Sequence, residues 1–360
     1  MKRKILLIPL VLLLAISLVA IGCAAPTPAP EPVPGPPGAP GAPGAPAPEK
    51  ISITLAQHNP LPDMQGYKDA ERFRALVWQL SDGRIEVNHF PGDLLGDWLV
   101  QIQQVREGAI DMAKIPPSAS FDPELEFSVV PFVVFDWEGA KAAYQTKGSP
   151  AWELTRQICE RNNTHMFGIT PEGYSIVISA VEFTPMPGDP SITKLKTRVN
   201  TKMTEKIAQT IGFRTITMPL SEVHSSLMLG TIDAAFGPTY EEAMMFTDVA
   251  PFLYPITFAF SPPPWVMNLD FWNSLTPEAQ DIITQAMDQV LERAWIDIIA
   301  SEGNVKEVLA EKGVTIVPLT DEQMRAIVQK CRGEVWPWAE QELIPKQTMD
   351  LLRGFAQAVP

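Results

Sequence analysis

Apolar residues along this chain switch repeatedly between two periods. Ile51-Ser52-Ile53-Thr54-Leu55-Ala56 alternates as a strand does, whereas Phe73, Leu76, Val77 and Leu80 recur at helical spacing. The pattern predicts a strand over 51–56, a helix over 69–80 stopped by Ser81-Asp82-Gly83, and a strand over 85–90 closed by Pro91-Gly92. A helix over 97–107 then ends at Gly108, and a strand follows over 109–115. This β-α-β-α-β order implies an α/β domain with a largely parallel sheet.

The same logic returns further along. Strands are expected over 196–199, 215–218 and 231–236, and a helix over 201–211 is stopped by Gly212. Ser221, with Glu222 close behind, is placed to cap a helix that runs to Leu229 and ends at Gly230. Two junctions share Gly-x-Ile-Asp-x-Ala: Gly108 to Ala113 and Gly230 to Ala235. In each, glycine suits a left-handed helix cap, isoleucine enters the core, and aspartate can bond nearby backbone. A motif in the same slot of two α/β halves argues for two similar lobes. After Pro264 the chain turns helical. Thr276-Pro277-Glu278 is a strong helix start, and that helix is expected to pass Ala300. A short strand over 315–318 precedes a helix opened by Thr320-Asp321-Glu322, and 334–355 reads as largely helical despite Pro337 and Pro345.

Ahead of all this stand Lys2, Arg3 and Lys4, then an uncharged apolar run over 5–22 that ends at Cys23. That is the layout of a secretory leader. Val19-Ala20-Ile21-Gly22-Cys23 resembles a bacterial lipobox, whose cysteine is acylated and becomes the new N-terminus. Residues 1–22 are therefore expected to be a lipoprotein signal peptide and Cys23 a lipidation site. The alternative is an uncleaved leader acting as a membrane anchor, since the run has about the minimum length to span a bilayer. Residues 23–48 are a Pro/Ala/Gly-rich tether. Its Gly-x-y triplets are too few for a triple helix, so a polyproline-like spacer rising ~3.1 Å per residue is expected.

The remaining 49–360 is too long for one ordinary domain and suits two. The formal net charge is −14, and losing the leader makes it three units more negative. So acidic a chain is not expected to bind nucleic acid. Cys159 and Cys331 lie in helix-like segments and are expected to be buried thiols rather than a disulfide. No nucleophile elbow or phosphate-cradling glycine loop occurs, and His58, His89, His165 and His224 lack the spacing of a metal site. No metal, cofactor or enzymatic activity is expected. A secreted, tethered, two-lobed α/β chain without catalytic signatures suggests a solute receptor that binds between its lobes.

Several stretches, in order, carry a family resemblance. They are Leu80-Ser81-Asp82-Gly83-Arg84-Ile85-Glu86-Val87, then Phe90-Pro91-Gly92-Asp93-Leu94-Leu95-Gly96, then Val105-Arg106-Glu107-Gly108-Ala109-Ile110-Asp111-Met112 and Val130-Pro131-Phe132. Leu195-Lys196-Thr197-Arg198-Val199, Met218-Pro219-Leu220-Ser221-Glu222-Val223 and Leu229-Gly230-Thr231-Ile232-Asp233 complete the series. It resembles the DctP-type extracytoplasmic receptors of TRAP transporters, over roughly Ile51 to Trp295. The resemblance implies an α/β, two-lobed periplasmic-binding-protein-like fold with long C-terminal helices bracing both lobes. Lobe I would span 49–173 and lobe II 174–261, with 262–360 returning to lobe I and supplying the hinge-bracing and C-terminal helices. It also implies a small organic acid as ligand, and small and large integral TRAP membrane subunits as partners, driven by an ion gradient.

In the family, the arginine of Lys-x-Arg-Val pairs with the ligand carboxylate, which points to Arg198. A guanidinium can donate two parallel hydrogen bonds to a carboxylate. Without the family pattern, Lys196 and Arg198 read as a solvated strand face. Gln57 and His58 end the first strand, either at the ligand or as an exposed loop pair. Tyr174 lies in Gly173-Tyr174-Ser175-Ile176-Val177, where many relatives carry another polar or basic residue. Phe236 lies in Ala235-Phe236-Gly237-Pro238, where many carry acid or amide groups. A less polar site, fitting an acid with an apolar or aromatic body, is the expectation. Trp265, after Ser261-Pro262-Pro263-Pro264, would line the cleft or brace the hinge. A sensory receptor presenting the ligand to a signalling partner is the alternative function, and a surface hydrolase a more distant one.

Overall fold

The structure is a computed structural model, and it describes residues 50–359. The leader, Cys23 and the tether expected over 23–48 lie outside the described residues.

Eleven strands are named in chain order: β1 Ile51–Gln57, β2 Ile85–Pro91, β3 Met112–Lys114, β4 Thr164–Ile169, β5 Val177–Ser179, β6 Lys196–Val199, β7 Arg214–Thr217, β8 Ala234–Phe236, β9 Phe252–Tyr254, β10 Pro264–Asn268 and β11 Thr315–Ile316. They form two sheets, ordered β2-β1-β3-β10-β4 and β11-β9-β5-β8-β6-β7. Reversed, the second reads β7-β6-β8-β5-β9, with β11 added at its edge, so the two lobes share one strand order. In each, three strands joined by helical crossovers are parallel (β2-β1-β3 and β7-β6-β8). The fourth strand, β10 or β5, runs antiparallel to both neighbours. The sheets are therefore mixed rather than largely parallel. The reason is that β5 and β10 are the first strands after the chain changes lobe, and they enter against the existing direction.

The repeated Gly-x-Ile-Asp-x-Ala junctions do the same work twice. Gly108 and Gly230 sit at φ 76° and 67°, in the left-handed region. Ile110 and Ile232 are buried. The Asp111 carboxylate accepts from the Thr54 N–H of β1 at 2.7 Å, and that of Asp233 from the Lys196 N–H of β6 at 2.8 Å. Each aspartate thus ties the entry of the third parallel strand to the first parallel strand of its own lobe.

Helix starts follow their caps. Asp97 caps the Trp98–Glu107 helix, Thr201 the Lys202–Ile211 helix, and Thr320 the Asp321–Glu342 helix. Ser221 does not cap. It lies inside a 3₁₀ turn, Leu220–Glu222, that runs straight into the Val223–Met228 helix. The expected helix over 334–355 is two: Asp321–Glu342 passes through Pro337, and Lys346–Phe355 starts after Pro345. Proline is tolerated at that start because its missing N–H is unpaired there anyway.

The long Pro277–Glu311 helix braces both lobes. It packs on the Gln65–Leu80 helix and β4 on one side, and on the Tyr240–Ala243 helix and β11 on the other. Arg72 bonds Asp297 at 2.9 Å across the first contact. One buried apolar cluster runs through both lobes from Ala56 to Leu352. Cys159 and Cys331 are free and buried within it, and burial pushes both thiols up to about 12. No helix among the described residues is long and apolar enough to cross a membrane.

Candidate ligand cleft

A cavity of about 80 Å³ lies where the C-terminal ends of the parallel strands of both lobes converge. His58 follows β1, Pro116 and Pro117 follow β3, and Trp98 opens the helix after β2. From the other lobe, Asn200 and Thr201 follow β6, Leu220 follows β7, and Thr239 and Glu242 follow β8. Glu172 and Ser175 come from one crossing segment, and Phe258 and Ser261 from the other.

Arg198 enters this cavity from β6. It is 3 % exposed, and its Nε donates to the Met218 carbonyl at 3.0 Å. It has no ion-pair partner among the described residues. Burial pulls its pKa down to about 10, partly offset by the charge of Glu242, so it is still a cation at neutral pH. Gly237 lies beside it, with a backbone conformation that favours glycine. At φ +111° a Cβ here would sit 3.2 Å from Asn200 Oδ1 and 3.7 Å from Arg198 Nη1.

Opposite stands a compact charged knot. Glu172 Oε1 lies 2.8 Å from Lys114 Nζ and 3.0 Å from His58 Nε2, and its Oε2 accepts from Ser261 Oγ at 3.0 Å. The two Oε1 contacts are ion pairs by distance and lack hydrogen-bond alignment. Burial would raise the Glu172 pKa, but His58 and Lys114 hold it well below the usual carboxylate range. Burial pulls His58 down, and the Glu172 charge outweighs it, leaving its pKa raised. His58 Nδ1 is buried without a protein partner. Lys114 is fully buried at the end of β3. Gly66 lets the next helix start close against it, because a Cβ there would meet Asn59 Oδ1 at 2.0 Å and Lys114 Nζ at 2.9 Å. Behind them Asp69 bonds Gln65 at 2.7 Å, and burial pushes its carboxyl up to about 7 against the pull of Lys114.

Two carboxylates reach across between the lobes. Glu241, after β8, accepts from the Gln65 N–H at 3.0 Å, in the first turn of the helix after β1. Glu126, after β3, accepts from the Met203 N–H at 2.9 Å, in the first turn of the helix after β6. Each satisfies an otherwise unpaired helix N–H of the other lobe.

Of the six residues expected at the ligand, Arg198 and His58 line the cavity together. The other four stand behind it. Gln57 is fully buried, bonding the Asn59 backbone and His89. Tyr174 donates to the Asp136 carbonyl and packs on Trp137 and Phe260. Phe236 stacks on Phe258, which itself faces the cavity. Trp265 is fully buried and donates to Thr170 Oγ1. Lys114, Glu172 and Glu242 were not singled out by sequence. Lys114 was detectable as a charge inside an otherwise apolar strand. Glu242 is masked because Thr239-x-x-Glu242 also forms a capping box, which the structure contains.

The profile of the family "Bacterial extracellular solute-binding protein, family 7" (DctP) matches residues 57–341. The chain belongs to this family. One relative, the 2,3-diketo-L-gulonate-binding periplasmic protein of Escherichia coli K12, is 24 % identical over 251 residues, covering 69 % of this chain and 75 % of the relative. The C4-dicarboxylate-binding periplasmic protein of Rhodobacter capsulatus is 24 % identical over 273 residues, covering 73 % and 78 %. A TRAP periplasmic solute-binding protein from Sulfitobacter with bound β-D-galacturonate superimposes with a TM-score of 0.77 at 19 % identity, covering 85 % of this chain and all of that one. Another, from Desulfovibrio salexigens with bound orotic acid, gives 0.76 at 19 %, covering 85 % and 97 %. At those identities the structural likeness shows the fold, which is the two-lobed one of TRAP periplasmic solute-binding proteins. All four are named as periplasmic binding proteins.

Proposed function

We propose that this protein is a lipid-anchored receptor that binds a small organic acid between its lobes and delivers it to the small and large membrane subunits of a TRAP transporter. One observation supports this reading above the rest: Arg198 is a buried cation in the interlobe cavity with its charge unmatched by any ion pair among the described residues. Such a group is costly to bury unless a counter-ion arrives, and a ligand carboxylate is that counter-ion. The relatives and neighbours named above carry acids in their names or in their sites. Within this reading, lobe I spans 49–173, lobe II 174–261, and 262–360 returns to brace both. His58 faces the ligand from lobe I, while Gln57, Tyr174, Phe236 and Trp265 hold the walls. Cys23 carries the lipid, and 23–48 gives the receptor reach from its anchor.

Mass spectrometry of small molecules released by denaturing the purified protein tests the reading. A carboxylic acid that rebinds unchanged is expected. Turnover of that compound, or release of a compound lacking any acid group, overturns it.

A further inference from the structure

Beyond the acid site, the cavity holds a second charged group, half of whose carboxylate is engaged in a capping box. Glu242 fixes one carboxylate oxygen on the Thr239 N–H at 2.8 Å, and its other oxygen has no hydrogen-bond partner among the described residues. It forms no ion pair there, yet it and Arg198 line the same cavity and each lies in the other's field. Glu172, the remaining carboxylate of the cavity, is already matched by Lys114 and His58. The unmatched charges are therefore one cation and one anion, both on the lobe II wall. The lining is otherwise mixed: Ser175, Asn200 and Thr204 are polar, while Trp98, Val129, Leu220 and Phe258 supply its apolar part.

We propose that the cleft selects a zwitterion: an acid of the amino-acid kind, its carboxylate on Arg198, its ammonium group on Glu242, and an apolar remainder against Trp98, Val129, Leu220 and Phe258. This rests on the reading that the cleft takes a carboxylate at Arg198. A plain acid would neutralise Arg198 and leave Glu242, which is half-buried, as an unpaired anion beside a second anion, which is disfavoured. The groups that face Glu242 make this worse. Burial and Glu172 already raise its pKa, while His58, the Thr239 N–H and Arg198 lower it. Cancelling the Arg198 charge removes one of the opposing pulls, so a plain acid meets an anion that a zwitterion would pair. A zwitterion leaves both pairs balanced.

The test is calorimetric titration with matched sets that share one apolar body. One set is L-leucine, 2-hydroxy-4-methylpentanoate and 4-methylpentanoate; the other is L-phenylalanine, 3-phenyllactate and 3-phenylpropanoate. Wild type and Glu242→Gln are compared, since glutamine keeps an acceptor for the Thr239 N–H. The amino member of a set is expected to bind at least about tenfold more tightly than its partners, as for a desolvated charge pair. Glu242→Gln should erase that preference without weakening the plain acids. Equal or tighter binding of a plain acid, or a preference that survives Glu242→Gln, overturns the zwitterion and leaves the acid receptor standing. If neither set binds, the compound released from the native protein decides. A zwitterion supports the inference, and a plain acid overturns it alone. A compound without an acid group overturns both readings.

Discussion

Arg198 is where residue chemistry bears most directly on affinity. With a ligand carboxylate in place, truncating its side chain leaves that anion desolvated and unpaired. Loss of one partner of such a pair costs ~2–5 kcal/mol, or roughly 30-fold to several-thousand-fold in Kd. Titration of Arg198→Ala with the identified ligand should show that loss, and Arg198→Lys should recover only part of it, because lysine lacks the planar fork. Full affinity in the alanine variant would remove Arg198 from the site. Sequence made this residue visible only through the Lys-x-Arg-Val pattern of the family, since the strand itself reads as a solvated face. The residues it did not expose were of a different sort. Glu172 and Lys114 are distant in sequence and acquire meaning only from their 2.8 Å meeting in the closed cleft. Helical and strand periods carry no information on such a pair.

At the level of elements, periodicity and capping located the parallel cores well, because each strand–helix–strand unit is specified locally. The Gly-x-Ile-Asp-x-Ala junctions marked two equivalent units, and the structure shows both aspartates holding equivalent strands. What local patterns did not specify is pairing across the lobe crossings: β5, β9 and β10 are too short for a period to show. The same limit hid the reciprocal latch, in which Glu241 and Glu126 each bind the first helical turn of the opposite lobe. Hydrogen bonds to a charged group contribute roughly 1.5–3 kcal/mol, so either one shifts the open–closed balance about tenfold or more. Glu126→Ala and Glu241→Ala should therefore each raise Kd about tenfold, through a smaller closed population rather than a damaged site. Small-angle scattering of the unliganded variants should show a larger radius of gyration than wild type. Wild-type affinity together with wild-type scattering in both variants would leave the latch without a role.

For the molecule as a whole, the two-lobed architecture and its bracing helices followed from element order together with the family resemblance. The anchor is argued from the leader alone. If Cys23 carries lipid, Cys23→Ser should lose labelling by a fatty-acid probe, and the protein should either leave the membrane fraction or persist as an uncleaved precursor. Labelling equal to wild type would count against a lipid at that position. The strand order has one more consequence, for the way the chain acquires its shape. Lobe II draws its five common strands from one stretch, β5 to β9, and can assemble as soon as Tyr254 has emerged from the export machinery. Lobe I has to wait. Its strand β10 lies between β3 and β4, so until Asn268 arrives those two expose unpaired edges with the whole of lobe II already synthesised. Closing so long a loop is slow, and open edges invite association with other chains. The first half of this receptor is thus its most vulnerable nascent part, and the stretch where a periplasmic chaperone would matter most.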